Sequence, residues 1–74
     1  MSDADVVLDI WREVLRRPAM TATDDLFDLG GDSVAMTRIA ARIQDQLGVD
    51  LPLDAFFEAP TAESLAGLIA DARG

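Results

Sequence analysis

Apolar residues recur at helical spacing along most of the chain. Val7, Ile10, Trp11, Val14 and Leu15 predict a first helix over roughly residues 4–17. Asp3 and Asp5 stand at its start and Arg16 and Arg17 at its end, as the helix dipole favours, and Pro18 stops it. Met36, Ile39, Ala40, Ile43 and Leu47 predict a second helix over 33–47. These five fall within about 100° of arc, a core stripe, and Gly48 supplies the C-terminal cap. Pro52 at a first helical position, with Leu53, Phe56 and Phe57, predicts one or two turns of a third helix. Pro60-Thr61 opens a fourth, with Thr61 as cap and Leu65, Leu68, Ile69 and Ala72 facing inward. Trp11, Phe27, Phe56 and Phe57 are assigned to the core. No stretch alternates with period two. The fold class is therefore all-α, a small four-helix bundle of three main helices plus a short third.

Between Pro18 and Asp32 lies a connection longer than most in compact domains. Leu26, Phe27 and Leu29 are expected to pin it to the core, with Thr23 or Asp24 opening a short turn. Long loops held by apolar anchors commonly carry function. This one delivers the chain to Leu29-Gly30-Gly31-Asp32-Ser33 at the mouth of the second helix. Amides of a first helical turn lack intrahelical acceptors and carry partial positive charge. An anion joined to the Ser33 hydroxyl would sit beside those donors. Gly30 and Gly31 allow a turn with φ > 0 and leave room for another protein's active site. The chain has no histidine, so no general base is in view. Ser33 reads as a hydroxyl that is modified, not as a nucleophile that turns over.

Composition narrows the classes. Seventy-four residues make one domain, 1–74, with an expected stability of about 4–11 kcal/mol. Half the residues are apolar, enough for one core but not for a deep substrate pocket as well. Without cysteine or histidine there is no disulfide framework and no expected zinc site. The net charge of −8 comes from fourteen acids against six arginines. It repels nucleic acid and anionic lipid, so neither is an expected partner. The acidic start is unlike a signal peptide, and no apolar run reaches the roughly 20 residues of a membrane span. A cytoplasmic, monomeric protein is expected.

Val34, Arg38, Ala41 and Asp45 fall opposite the core stripe of the second helix, with Arg42 close by. An apolar Val34 beside Ser33 marks a docking surface that includes Arg38, Ala41 and Arg42, with Phe56 as a further contact. Asp24, Asp25, Asp28 and Asp32 suggest calcium, but no register gives the required oxygens with glycine at position six. Gly30-Gly31 lacks the Lys-Ser/Thr of a phosphate-binding P-loop. No metal is expected. Asp32 reads equally as a cap residue and as a contact for an enzyme or its magnesium.

Four segments carry a resemblance: Ile10-Trp11-Arg12-Glu13-Val14-Leu15, Asp24-Asp25-Leu26-Phe27-Asp28-Leu29-Gly30-Gly31-Asp32-Ser33, Leu47-Gly48-Val49-Asp50-Leu51-Pro52-Leu53 and Phe57-Glu58-Ala59-Pro60-Thr61. Over nearly its whole length the chain resembles a peptidyl carrier protein of nonribosomal peptide synthesis, with an acyl carrier protein-like fold. The resemblance implies 4′-phosphopantetheine attached at Ser33, flanked by Gly31 and Asp32, donated from coenzyme A by a phosphopantetheinyl transferase. It also implies an adenylation enzyme, condensation or tailoring enzymes, and a thioester-bound aminoacyl, aryl or peptidyl group. No catalytic activity of its own is implied. Asp32 stands where many such carriers have histidine, Val34 where leucine is common, and Met36 where alanine is common. Met1 and the absence of a linker suggest a discrete protein. The alternatives are an acyl carrier of polyketide or fatty-acid type, and an unmodified helical interaction module.

Overall fold

The computed structural model describes residues 2–74. Four helices, α1 (Asp3–Leu15), α2 (Ser33–Leu47), α3 (Asp54–Glu58) and α4 (Ala62–Arg73), enclose one core. α1 packs against both α2 and α4, and α3 rests on α4. Val7, Ile10 and Trp11 from α1 meet Met36, Ile39 and Ile43 from α2 and Leu65 and Ile69 from α4. Met20 and Leu26 from the long loop and Val49, Leu51 and Phe56 from the region around α3 complete the cluster. None of the described residues buries a charge. No helix among them is long and apolar enough to cross a membrane.

Local chemistry sets the helix ends. Ser2 caps α1 in a reciprocal box with Asp5, both bonds at 3.2 Å. The Ser2 backbone N–H, then its hydroxyl, hold the Asp5 carboxyl below the usual range. α1 stops at Leu15, two residues short of the predicted end. Arg16 adopts the left-handed conformation at φ 56, and the Arg17 N–H returns to the Arg12 carbonyl at 3.0 Å. Pro18 disfavours helical geometry at Arg17, so the chain must leave the helix before it. α2 has the predicted bounds, with Gly48 at φ 70. Thr61 caps α4 through Ser64, as expected from its position.

The remaining differences are at the C-terminal end. Pro52 lies just before α3, where its carbonyl accepts the Ala55 N–H at 3.0 Å, and Leu53 is the cap position. Ala72 is exposed, and buried Ala62 takes up the inward place at the other end of α4. Phe57 is 63% exposed instead of buried. α3 turns Ala55 and Phe56 into the core, and Phe57, a further 100° round the helix, faces outward. Phe57 lies flat on half-buried Phe27 of the long loop, with ring centroids 5.2 Å apart and planes 16° apart. Arg73 joins three helix ends, bonding both carboxylate oxygens of Asp3 at 3.0 and 2.9 Å and the Leu47 carbonyl at 3.3 Å.

The two phenylalanines should separate in unfolding experiments. Phe56→Ala is expected to cost about 3–5 kcal/mol, since a fully buried ring leaves a cavity. Phe57→Ala should cost clearly less, because the ring is mostly exposed and its stacking adds only about 0.5–1.5 kcal/mol beyond the area it buries. Urea midpoints of both variants check this.

Candidate functional site

Tertiary bonds place the loop that enters α2. Arg12 donates through Nε to the Met20 carbonyl at 2.8 Å, and the Met20 side chain is buried. Thr21, not Thr23 or Asp24, opens the turn: its N–H donates to Asp24 Oδ2 at 2.8 Å and its carbonyl accepts the Asp24 N–H at 3.1 Å. Glu63 N–H donates to the Ala22 carbonyl at 3.0 Å, and Leu26 N–H donates to the Pro60 carbonyl at 2.7 Å. The loop is thus bonded twice to the start of α4.

A tight turn then reverses the chain over Leu26, whose carbonyl accepts N–H bonds from Leu29 at 3.3 Å and Gly31 at 2.9 Å. Gly30 has φ 96, a conformation that side chains disfavour. Gly31 does not share that positive φ, contrary to the expectation for the pair. Its requirement is space: a Cβ there would lie 2.6 Å from Leu26 Cγ and 2.8 Å from the Leu26 carbonyl oxygen.

Asp32 is the N-cap of α2, its Oδ1 accepting the Ala35 N–H at 2.8 Å. That bond turns the carboxylate toward the helix. Ser33 is the first helical residue and is exposed; its carbonyl accepts the Thr37 hydroxyl at 2.8 Å. The Ser33 and Val34 amides have no intrahelical acceptor by their position in the first turn. Val34 is 61% exposed, and Arg38 and Ala41 are exposed on the same side of α2. Arg42 departs from this set, because it is half-buried and pairs with Glu13 of α1 at 3.3 Å. Phe56 cannot be a docking residue in this structure: it is completely buried, and the exposed aromatic of α3 is Phe57. A shallow cleft lined by Ser33, Val34, Thr37 and Arg38 runs along α2. A second cleft, on the α1 side, is lined by Val14, Leu15, Arg17, Leu29, Gly30, Asp32, Val34, Ala35 and Arg38.

With this geometry in place, comparison with known proteins decides the family. The family described as "Phosphopantetheine attachment site" matches residues 5–69. The chain belongs to that family. It is 44% identical over 66 residues, 89% of its length, to surfactin synthase subunit 1 of Bacillus subtilis (strain 168). It spans only 2% of that synthase. Among solved structures it resembles a chain in the complex of the phosphopantetheine transferase Sfp with coenzyme A and a peptidyl carrier protein. The TM-score is 0.89 at 28% identity, covering 96% of this chain and 92% of the other. An active-site mutant of a peptidyl carrier protein superposes with a TM-score of 0.85 at 29% identity, covering 92% and 76%. The all-α four-helix bundle matches the acyl carrier protein-like fold expected from the sequence, shared with these structures.

The role of Gly31 is open to a stability test. Gly31→Ala should destabilise by about 1–3 kcal/mol, because Leu26 must shift away from the added methyl. For a domain of this size each kcal/mol lowers the melting temperature by roughly 4–8 °C. A thermal melt that matches the unsubstituted protein would show that the turn yields freely.

Proposed function

We propose that residues 1–74 form a single carrier domain in which Ser33 bears 4′-phosphopantetheine, added from coenzyme A by a phosphopantetheinyl transferase. The observation that carries this reading is the exposed Ser33 hydroxyl at the first position of α2, on a backbone fixed by Leu26, Gly31 and Asp32. The surrounding residues fit such a group. Gly30 and Gly31 bring bare backbone up to the serine, and the first-turn amides and Arg38 supply positive charge for a phosphodiester. When attached, the arm supplies a thiol on which an aminoacyl, aryl or peptidyl group is held as a thioester. The chain contributes no thiol, having no cysteine.

The domain has no catalytic activity of its own in this reading. Asp32, the acid next to Ser33, is committed to the Ala35 amide, and the chain has no histidine to take a proton from the hydroxyl. An adenylation enzyme loads the arm, condensation or tailoring enzymes use the loaded group, and the carrier works as a cytoplasmic monomer. A peptidyl cargo is preferred over a polyketide or fatty-acid cargo because an active-site mutant of a peptidyl carrier protein is among the solved structures this chain resembles. Val34 and Arg38 belong to the surface these enzymes cover, with Ala41 farther along it.

Incubation with coenzyme A and a broad-specificity transferase should add one phosphopantetheine to the intact mass. Ser33→Ala should abolish that gain while leaving the helical circular dichroism unchanged, since the side chain is exposed. A modified Ser33→Ala protein would place the attachment elsewhere.

Val34 offers a separate test of the surface. Burying its side chain under an enzyme contributes on the order of 1–2 kcal/mol. Val34→Asp should therefore slow transfer or amino-acid loading several-fold while the melting temperature barely moves. Loading is followed as a hydroxylamine-releasable thioester. Unchanged rates at unchanged stability would move the docking surface away from this side of α2.

A further inference from the structure

All six basic side chains of this chain are arginines, and their surroundings divide them into two groups. Arg12 pairs with Asp9 at 3.5 Å, Arg42 with Glu13 at 3.3 Å and Arg73 with Asp3 at 2.9 Å. Arg16, Arg17 and Arg38 make no ion pair among the described residues. Fourteen acids were available to neutralise them. Arg16 and Arg17 follow α1 directly, and Arg38 lies on the second turn of α2. Arg17 and Arg38 line one open cleft of about 350 Å³ between the end of α1, the loop and the start of α2. Half-buried Val14, Leu15, Leu29 and Ala35 form its floor. Exposed Gly30, Asp32 and Val34 form its rim with the two arginines.

We propose that this cleft is the resting site of the arm carried on Ser33, with Arg17 and Arg38 facing its phosphodiester and the apolar floor taking its less polar end. The proposal rests on the attachment reading above. Ser33 itself lines the adjoining cleft along α2, and Val34 and Arg38 line both clefts, so a group fixed to Ser33 enters this one by passing over Val34 or Asp32. Such tethering gives a high effective concentration, so weak contacts suffice. Arginine suits a phosphodiester because its planar fork can donate two bonds at once. Asp32 opposes an anion, but its Oδ1 already accepts the Ala35 N–H, and two cations face this one acid.

Charge also decides the direction in which the arm lies. From Ile43 to Ala72 the chain has no basic residue. The α3 region offers exposed Leu53 and Phe57, but Asp50, Asp54 and Glu58 surround them in sequence. An anionic arm therefore finds its complement on the α1 side of α2.

Because the chain has no cysteine, the arm's thiol would be the only thiol in the modified protein. A nitroxide attached to that thiol reports where the arm lies, through loss of amide signal intensity in nuclear magnetic resonance spectra. Intact mass first establishes modification and labelling. Val14 and Leu15 are the informative amides, because they are far from Ser33 in sequence and line the cleft. They should lose intensity while Leu53 and Phe57 keep theirs. The doubly substituted Arg17→Gln/Arg38→Gln protein should recover intensity at Val14 and Leu15. So should the unsubstituted protein in 1 M salt, where the screening length falls to about 3 Å. Both arginines are exposed, so the substitutions should preserve the fold, and the rest of the spectrum checks it. Losses centred on Leu53 and Phe57, losses spread evenly over the surface, or a pattern unchanged by the double substitution would each overturn the proposal. Failure of Ser33 to gain mass would instead remove the attachment reading itself.

Discussion

The position of Ser33 depends on the peptide and side chain of Leu26. Its N–H is bonded to Pro60 at 2.7 Å, its carbonyl accepts the Gly31 N–H at 2.9 Å, and its side chain is fully buried. One residue thus ties the loop to the start of α4, anchors it in the core and closes the turn that leads into α2. Gly31 follows as a steric necessity, because any side chain there would enter the space of Leu26. Asp32 then finds the first-turn amide of Ala35, and Ser33 emerges outward with its backbone held and its hydroxyl free. The backbone around Ser33 is held by these bonds, and its side chain is exposed. That combination suits a residue that must be reached by other proteins without unfolding its own.

α2 serves both the core and the site because its faces differ. Met36, Ile39 and Ile43 are buried, while Ser33, Val34, Thr37, Arg38 and Ala41 are exposed. In a 74-residue chain the margin for a pocket inside the core is small, since a domain of this size buries a smaller fraction of its surface than a larger one. Keeping all charges out of the core, as the described residues do, avoids the cost of desolvating them. The functional surface is consequently added to the fold at little cost in stability. Trp11 is the main exception to this economy: it is fully buried and its indole N–H has no partner. Leaving such a donor unpaired costs about 1–3 kcal/mol, so the packing of that large ring must offset it.

Features with a strong local signal were legible in the sequence, whereas those with a weak local signal, such as the Thr21 turn and the start of α3, and several set by distant contacts were not. The bounds of α2 follow from Asp32, the apolar stripe and Gly48, all of which act within a turn or two. The Thr61 cap is equally local. The end of α1 was misplaced because Arg16 occupies a left-handed position usually marked by glycine, so the visible stop was Pro18. Phe56 and Phe57 are adjacent, and periodicity over five residues cannot select between them; the stacking partner, Phe27, is thirty positions away. Arg42 looked like part of the exposed set until α1 brought Glu13 beside it. For Gly31 the sequence suggested backbone freedom, whereas the fold requires the absence of a side chain against Leu26. Ser33 stood out because its setting, two glycines and a helix start, is itself local.

The exposed surface beside Ser33 is modest, and that is consistent with a carrier. Val34 is a single aliphatic side chain, and Arg38 is a cation still in contact with water. Burying such a valine contributes on the order of 1–2 kcal/mol. A solvent-exposed cation changes encounter rate and orientation more than affinity. A surface built this way gives a partner enough to find the serine but little to hold it by. Because differences in affinity lie mostly in dissociation rate, a weakly held complex of the proposed kind would dissociate quickly. Successive enzymes can then use the same few residues. A larger apolar patch would lengthen each encounter and make the carrier prone to associate with itself. On the proposed reading, a single exposed valine next to the serine would therefore favour exchange of partners over retention of any one of them.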